Sequence, residues 1–320
     1  MSKQRVWISG EGGNLAMNIH QLLLQSTKLQ PAKSTWRFTD QVAQHHNRLE
    51  VDILGQKLEA AIEQSEADIV VHSAAVVNTD KCQADPTRAI EVNLLGTQYI
   101  LNICRQLKKK LVYFSTTATY DPDPACQRPY TEASRQRPPT LYGITKYAGE
   151  LLVTGQSEVP WIVVRPCFIY GDPPLDFSSQ LCRVAVHSAL KQLRPNLAGT
   201  IPRVTLDPAA LKDYMRVEDF AAAVIKLLEG EFWGEILNVS AQQARPMREY
   251  FTMLENELEF PIHMLWVPEA DYMGDHLVSS TRLRGLAGWQ PRMSVPEGIS
   301  LLAHRTLQYV ENLPQEVLYK

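Results

Sequence analysis

The chain has 320 residues, 45% of them apolar, with a net charge of −3. That size and balance suit one large α/β domain, or one with a smaller lobe grafted on, and give no global pull toward nucleic acid or membrane. Five cysteines, an odd number with no Cys-x-x-Cys pair, point to a reduced, cytoplasmic setting.

The opening residues Met1 to Arg5 show no signal-peptide core. No apolar run reaches the roughly 18–20 residues needed to span a bilayer. Arg5 to Ser9 reads as a short buried strand, and a glycine turn follows. Asn14 to Gln25 reads as a helix, with Leu15, Ile19, Leu22 and Leu23 at helical spacing. A second strand is expected near Ser34 to Phe38 and a helix over Gln56 to Gln64. Ile69 to His72 is another apolar strand. Pro86 to Lys109 reads as one long helix on the repeat of Ile90, Leu94, Ile100, Ile103 and Leu107. The Lys108-Lys109-Lys110 run then falls at a helix C-terminus, where cations suit the dipole. Leu111 to Ser115 is a strand, Thr140 to Thr154 a helix, and Trp161 to Arg165 a strand. Residues 172–210 carry several prolines and no clear alternation. Val217 to Leu228 returns to a clean helix and Glu235 to Ser240 to a strand, with a helical and looped tail from Arg245.

Continuous apolar strands alternating with helices predict a Rossmann-type, doubly wound parallel α/β sheet. The expected division is a dinucleotide-binding domain over 1–171, rejoined by 211–240. A smaller substrate-binding lobe takes 172–210 and 241–320.

Ser9-Gly10-Glu11-Gly12-Gly13-Asn14-Leu15-Ala16 joins the first strand to the first helix. Gly10 permits the tight turn, Gly13 lets the backbone approach a pyrophosphate, and Ala16 lets the helix lie close to the strand. The helix N-terminus offers its free N–H groups to the phosphates. Asp52 and Ile53 form a second candidate contact, through an adenine amino group. Against it stands the plain reading of an exposed loop aspartate.

Tyr142 and Lys146 lie four apart on a helix and share one face. An ammonium near a phenol favours the phenolate, which suits proton exchange with a hydroxyl or carbonyl oxygen. Alone, Tyr-x-x-x-Lys is also a common surface-helix pattern.

Taken together, these residues resemble the extended short-chain dehydrogenase/reductase family, the nucleotide-sugar epimerases, dehydratases and 4-keto reductases. Further matches run in order along most of the chain. His72 to Ala75 looks like the segment lining the cofactor, and Val92 to Thr97 like the helix that carries an asparagine, here Asn93. Phe114 to Tyr120 looks like the segment holding the catalytic Ser or Thr. Pro129 to Glu132 precedes Tyr142 and Lys146, and Arg165 to Gly171 looks like the strand and loop beside the nicotinamide. Asp213 to Asp219 and Leu286 to Pro291 resemble the late signatures.

The resemblance implies that Tyr142 is the acid/base, that Lys146 tunes it and bonds the ribose, and that Thr117 polarises the substrate oxygen. Thr116 rivals Thr117, one residue away. It also implies cofactor contacts at Gly10, Gly12, Gly13, Asn14, Leu15, Ser73, Ala74, Ala75, Asn93, Pro166 and Phe168. The sequence departs from some branches. Ala118-Thr119 follow Thr117 where 4,6-dehydratases have Asp-Glu. Thr119 stands where 3,5-epimerase/4-reductases have Cys. Rhamnose-type 4-keto reductases share the texture of Asp80-Lys81-Cys82 but carry Asp where Thr117 stands. The 4-epimerases match Thr117-Ala118-Thr119 best.

The expected function is therefore NAD- or NADP-dependent hydride transfer to and from a secondary alcohol or ketone of a nucleotide sugar, leaning to 4-epimerisation. The alternatives are a 4-keto reductase and a non-catalytic dinucleotide-binding regulatory subunit, as the β subunit of methionine adenosyltransferase looks. Asp40 and Glu11 lean toward NAD, while Arg37 would suit a 2′-phosphate. A small-molecule substrate is expected, with no nucleic acid and no membrane, and a homodimer is the candidate assembly. No metal is expected, since adjacent His45 and His46 point apart and no third ligand is spaced nearby.

Overall fold

The structure, a computed structural model, describes residues 2–10, 12–32, 53–77, 79–155 and 158–314. Its first elements are β1 (Gln4–Ser9), α1 (Asn14–Gln25), β2 (Leu29–Pro31), α2 (Leu58–Gln64) and β3 (Ile69–His72). Two short helices, α3 (Thr79–Ala84) and α4 (Pro86–Ile90), lead through a π turn (Glu91–Leu95) into α5 (Gly96–Gln106). Next come β4 (Lys110–Phe114), α6 (Leu141–Thr154), β5 (Trp161–Pro166), β6 (Phe168–Tyr170) and α7 (Gln180–Leu193). They are followed by β7 (Arg203–Val204), β8 (Leu211–Lys212), β9 (Tyr214–Arg216), α8 (Val217–Gly230) and β10 (Glu235–Val239). The remaining elements are β11 (Arg245–Pro246), α9 (Met247–Leu258), β12 (Leu265–Trp266), α10 (Thr281–Ala287) and α11 (Val295–Glu311).

Six strands form one sheet in the order β10-β5-β4-β3-β1-β2. The pairings from β2 through β5 are parallel. Ile69, Val70 and Val71 of β3, Leu111 and Val112 of β4, and Ile162, Val163 and Val164 of β5 are all fully buried. Burial on both faces explains why these strands read as unbroken apolar runs. The fold is a Rossmann-type, doubly wound parallel sheet, as expected. The chain leaves β1 for β2 on one side and returns to β3 on the other, so the strand order reverses between β1 and β3. A ligand crevice belongs outside the carboxyl ends of those two strands.

Contacts group the chain into two units. One is Met1–Thr116 with Leu141–Arg165 and Val224–Leu237. The other is Thr117–Thr140 with Pro166–Ala223 and Asn238–Lys320. The expected boundary at 171 and the expected return over 211–240 do not coincide with these units. Segment 117–140 joins the second because Tyr120 and Tyr130 pack with Val278. Tyr170 and Tyr214 join it through a core shared with α7, α9 and α11. By residue count the second unit is as large as the first. The first has its own core, built on Ile62, Val70, Ile100, Leu111, Tyr113, Val153 and Val163.

Two elements differ from the sequence reading. The strand beside β1 is Leu29–Pro31, while the strand expected at 34–38 lies outside the described residues. The long helix from Pro86 is wound through the π turn, which shifts the buried stripe by one position. Ile90 is 41% exposed, whereas Asn93 and Thr97 are fully buried. All five cysteines are free. Among the described residues no helix is long and apolar enough to cross a membrane, and no group of three or more His, Cys, Asp or Glu could hold a metal.

Candidate active site

The glycine turn sits at the carboxyl end of β1. Gly10 has φ 72°, and a Cβ there would lie 3.1 Å from Ala74 Cα. A glycine is needed on both counts, for the left-handed backbone and for the close approach of the segment after β3. Gly13 N–H donates to the Gly10 carbonyl at 2.9 Å, and Gly13 is the N-cap of α1 with no side-chain hydrogen bond and no acidic residue in the first turn. The first N–H groups of α1, which begins at Asn14 and Leu15, are thus left for an anion. Gly12 is exposed beside them.

Ser9 closes β1 and organises the next segment. The N–H groups of Ser73 and Ala74 both donate to its Oγ at 3.0 Å, which sets the backbone of Ser73, Ala74 and Ala75. Ser9 Oγ lies 2.9 Å from His72 Nδ1, and His72 Nε2 lies 3.0 Å from Thr97 Oγ1. Thr97 donates its own proton to the Asn93 carbonyl at 2.7 Å, so it must accept from Nε2–H, and Ser9 must donate to Nδ1. The ring is neutral in this arrangement. Burial, helped by the Lys146 charge, pushes His72 down to about 3.

Asn93, expected among the cofactor contacts, is fully buried. Its Oδ1 accepts from Val76 N–H at 2.7 Å, and its Nδ2 donates to the Val76 carbonyl and to Thr145 Oγ1. Thr145 in turn donates to the Tyr142 carbonyl at 2.9 Å. Asn93 therefore acts by tying the 73–77 segment to α6.

On α6, Tyr142 is half-buried and Lys146 is 3% exposed. Thr116 is a hydrogen-bonding side chain that acts on the Tyr142 phenol. Thr117 opens a 3₁₀ turn, Thr117–Thr119, and is grouped with the second unit. Thr116, the rival of Thr117 in the sequence, is thus the hydroxyl beside Tyr142. Burial pushes the Tyr142 phenol up to about 12, with the Thr116 bond pulling the other way. The net direction is therefore upward, opposite to the lowering expected from a lysine four residues along the helix. Burial also brings Lys146 down to about 7, while the nearby Glu150 carboxylate raises it. Glu150 is buried and held by Arg165, whose Nε donates to it at 3.0 Å.

Lys146 rests on β4. Its Nζ lies 4.2 Å from the centroid of the Tyr113 ring, and the Tyr113 hydroxyl donates to the Lys146 carbonyl at 3.0 Å. Gly149 makes room for that hydroxyl, because a Cβ at 149 would collide with it.

The other expected residues are dispersed. Ile53 puts its side chain into the first unit's core, against Gly96. Asp52 lies outside the described residues, as do Glu11, Arg37, Asp40, His45 and His46. Pro166 closes β5 and is buried, and Phe168 opens β6, stacked on Tyr214 at 5.1 Å. Sequence reasoning missed Ser9, the role of His72, Tyr113 and Gly149. A tyrosine inside an apolar strand and a glycine inside an apolar helix were visible signals, but nothing in the sequence paired them.

The sequence model of the NAD dependent epimerase/dehydratase family matches residues 6–240. A UDP-glucose 4-epimerase of Mycolicibacterium smegmatis is 24% identical over 275 residues, covering 83% of each chain. A GDP-6-deoxy-D-mannose reductase of Pseudomonas aeruginosa is 25% identical over 312 residues, 92% of this chain and 95% of the relative. Among solved structures, the UDP-glucose 4-epimerase of Thermus thermophilus complexed with NAD superposes with a TM-score of 0.79 at 26% identity, over 95% of this chain and 99% of that one. RMD of Pseudomonas aeruginosa, solved with NADPH, has a TM-score of 0.77 at 21% identity, over 95% and 100%. The chain belongs to the NAD-dependent epimerase/dehydratase family.

Proposed function

We propose that this protein moves hydride between NAD or NADP and a secondary alcohol or ketone of a nucleotide sugar, and that the net reaction is 4-epimerisation. The observation that carries this reading is Tyr142 and the buried Lys146 four residues apart on α6, with the Thr116 hydroxyl acting on the Tyr142 phenol. The uncapped N-terminus of α1, with Gly10 and Gly13 bare of side chains, fits a pyrophosphate. Gly12, Asn14 and Leu15 would border it, with Ser73, Ala74 and Ala75 beside it. When bound, the dinucleotide supplies the site that takes and returns hydride.

The chain's own residues handle the proton and the oxygen. Tyr142 enters as a neutral phenol, fit to protonate a ketone oxygen or, once ionised, to take a proton from a hydroxyl. Thr117 and Thr116, which lies next to Tyr142, are the rival candidates to polarise the substrate oxygen. Lys146, when protonated, stabilises the phenolate form. Asn93, Thr145 and Ser9 hold these groups in place.

An epimerase must keep its reduced cofactor until the turned ketone is reduced again. The expected behaviour is co-purification with dinucleotide and interconversion of C4 epimers within a panel of UDP- and GDP-hexoses, without net change at the NADH absorbance band. Steady use of one NADH or NADPH per product overturns the epimerase in favour of a 4-keto reductase. That second reading is favoured by the longer coverage of the GDP-6-deoxy-D-mannose reductase. Dinucleotide binding with neither behaviour assigns the chain to the regulatory class. The leaning toward NAD is unchanged from the sequence reading, and a cytoplasmic setting is proposed with it. A homodimer is supported by exposed Leu95 and Tyr99 on one helix and Ile144 and Leu151 on the adjacent α6. Light scattering on the purified protein tests it.

A further inference from the structure

We propose that Tyr113 is a positioning residue for Lys146, holding the ammonium in place and in its charged form. The proposal rests on the reading of Tyr142 and Lys146 given above. A lysine side chain has four rotatable carbons, and an ammonium out of water has every reason to retreat or to lose its proton. Tyr113 opposes both. Its ring face lies under Nζ at 4.2 Å, the geometry in which the ring quadrupole attracts a cation. The ring cannot swing away, because its hydroxyl is tied to the Lys146 carbonyl at 3.0 Å and the ring is fully buried. Gly149 lies one turn further along the same helix, and the absence of a side chain there is what admits the hydroxyl. Backbone and ammonium of one lysine are therefore gripped by one tyrosine, from a neighbouring strand.

The other groups around Lys146 do not duplicate this. Glu150, on the same helix, attracts the charge but is already committed to Arg165 of β5. His72 of β3 is neutral, with its ring 5.8 Å from that of Tyr113. Tyr142 is a neutral phenol. Among these described groups, the Tyr113 ring face is the one that combines contact with a fixed orientation.

The test reads the titration of Lys146 directly. Protein containing lysine labelled with carbon-13 at Cε is titrated by NMR, and the Lys146 signal is assigned by its loss in Lys146→Arg. Tyr113→Leu should lower the midpoint by about one pH unit, while Tyr113→Phe, which keeps the ring, should stay within about 0.3. Gly149→Ala, which displaces the ring without deleting it, should shift the midpoint in the same direction. Adding Tyr113→Phe to Gly149→Ala should recover part of the shift, because the colliding hydroxyl is gone while the ring carbon that bore it would still lie 2.9 Å from the new Cβ. An unchanged midpoint in folded Tyr113→Leu, or in Gly149→Ala if the former does not fold, overturns the proposal whatever the activity does. If the midpoint shifts as expected but Lys146→Met binds dinucleotide and turns over like wild type, the hold of Tyr113 on Lys146 stands and the functional reading falls.

Discussion

Replacing Lys146 with Met should stabilise the protein, by an amount that shrinks as pH rises. Lys146 is 3% exposed, and burial takes its ammonium from 10.5 down to about 7 despite Glu150. Between those two values the unfolded chain holds a proton that the folded chain does not, so the lysine's contribution to stability rises with pH across this window. Below about pH 7 both states are protonated and the full penalty of the buried charge is present. At about 1.36 kcal/mol per pKa unit, a drop of this size makes the penalty on the order of 5 kcal/mol. Met keeps an unbranched, flexible side chain of similar length and removes the charge. Urea unfolding of both proteins at several pH values between 6 and 10 measures the gap. It should be nearly flat below about pH 7 and should close by roughly 1.4 kcal/mol per unit above about pH 8. Any pH-independent offset reflects the change of side chain. A gap that ignored pH altogether would refute the placement of a desolvated ammonium at 146. Activity should be lost in the same variant, a trade of function against stability.

The other predictions concern the site itself. Gly13→Val should abolish dinucleotide binding while leaving the circular dichroism spectrum unchanged, since Gly13 borders the proposed pyrophosphate position and, among the described residues, its Cβ would meet only the Gly10 carbonyl, at 3.2 Å. Unchanged affinity by calorimetry would remove the turn from the cofactor site. Tyr142→Phe should lower turnover by about 10²–10⁴-fold with binding retained, and a wild-type rate would discard the chemistry. Thr116→Val should lower turnover by roughly tenfold or more through the lost hydrogen bond to Tyr142, and Thr117→Val much less. The reverse ranking would restore the register expected from sequence. No water should be eliminated from any nucleotide hexose, because Thr117-Ala118 follow Thr116 and neither supplies a carboxylate. A product lighter by one water in mass spectrometry would contradict this.

The first unit was legible because its strands are buried on both faces, and a strand such as Ile69–His72 has no polar face to confuse the pattern. Its glycine turn was legible because Gly10 and Gly13 stand where strand passes to helix. α7 was not, for the opposite reason. His187 and Ser188 are buried among Val184, Ala185, Val186, Ala189 and Leu190, so the helix has no polar stripe from which a period can be read. The choice between Thr116 and Thr117 was beyond sequence for a related reason. Both are buried at the end of a strand, at 8% and 3% exposure, and only the course of the chain decides which hydroxyl meets Tyr142. The charge state of the pair was also hidden. Four-residue spacing brings a lysine and a tyrosine to one helix face, but burial, set by the rest of the fold, raises one group and lowers the other.

The π turn Glu91–Leu95 holds one residue more than a regular helical turn, so a residue removed there would leave the helix on either side nearly in phase. Asn93 and Thr97, four apart, would share a face in a regular helix as well, so Thr97 could keep His72 while Asn93 stayed turned to Val76 and Thr145. This turn is therefore the place where the helix can lose a residue at least cost, provided that Asn93 itself is kept. A deletion at exposed Leu95 should do less harm than one at Leu101 or Cys104, where no wider turn is present to take up the missing residue.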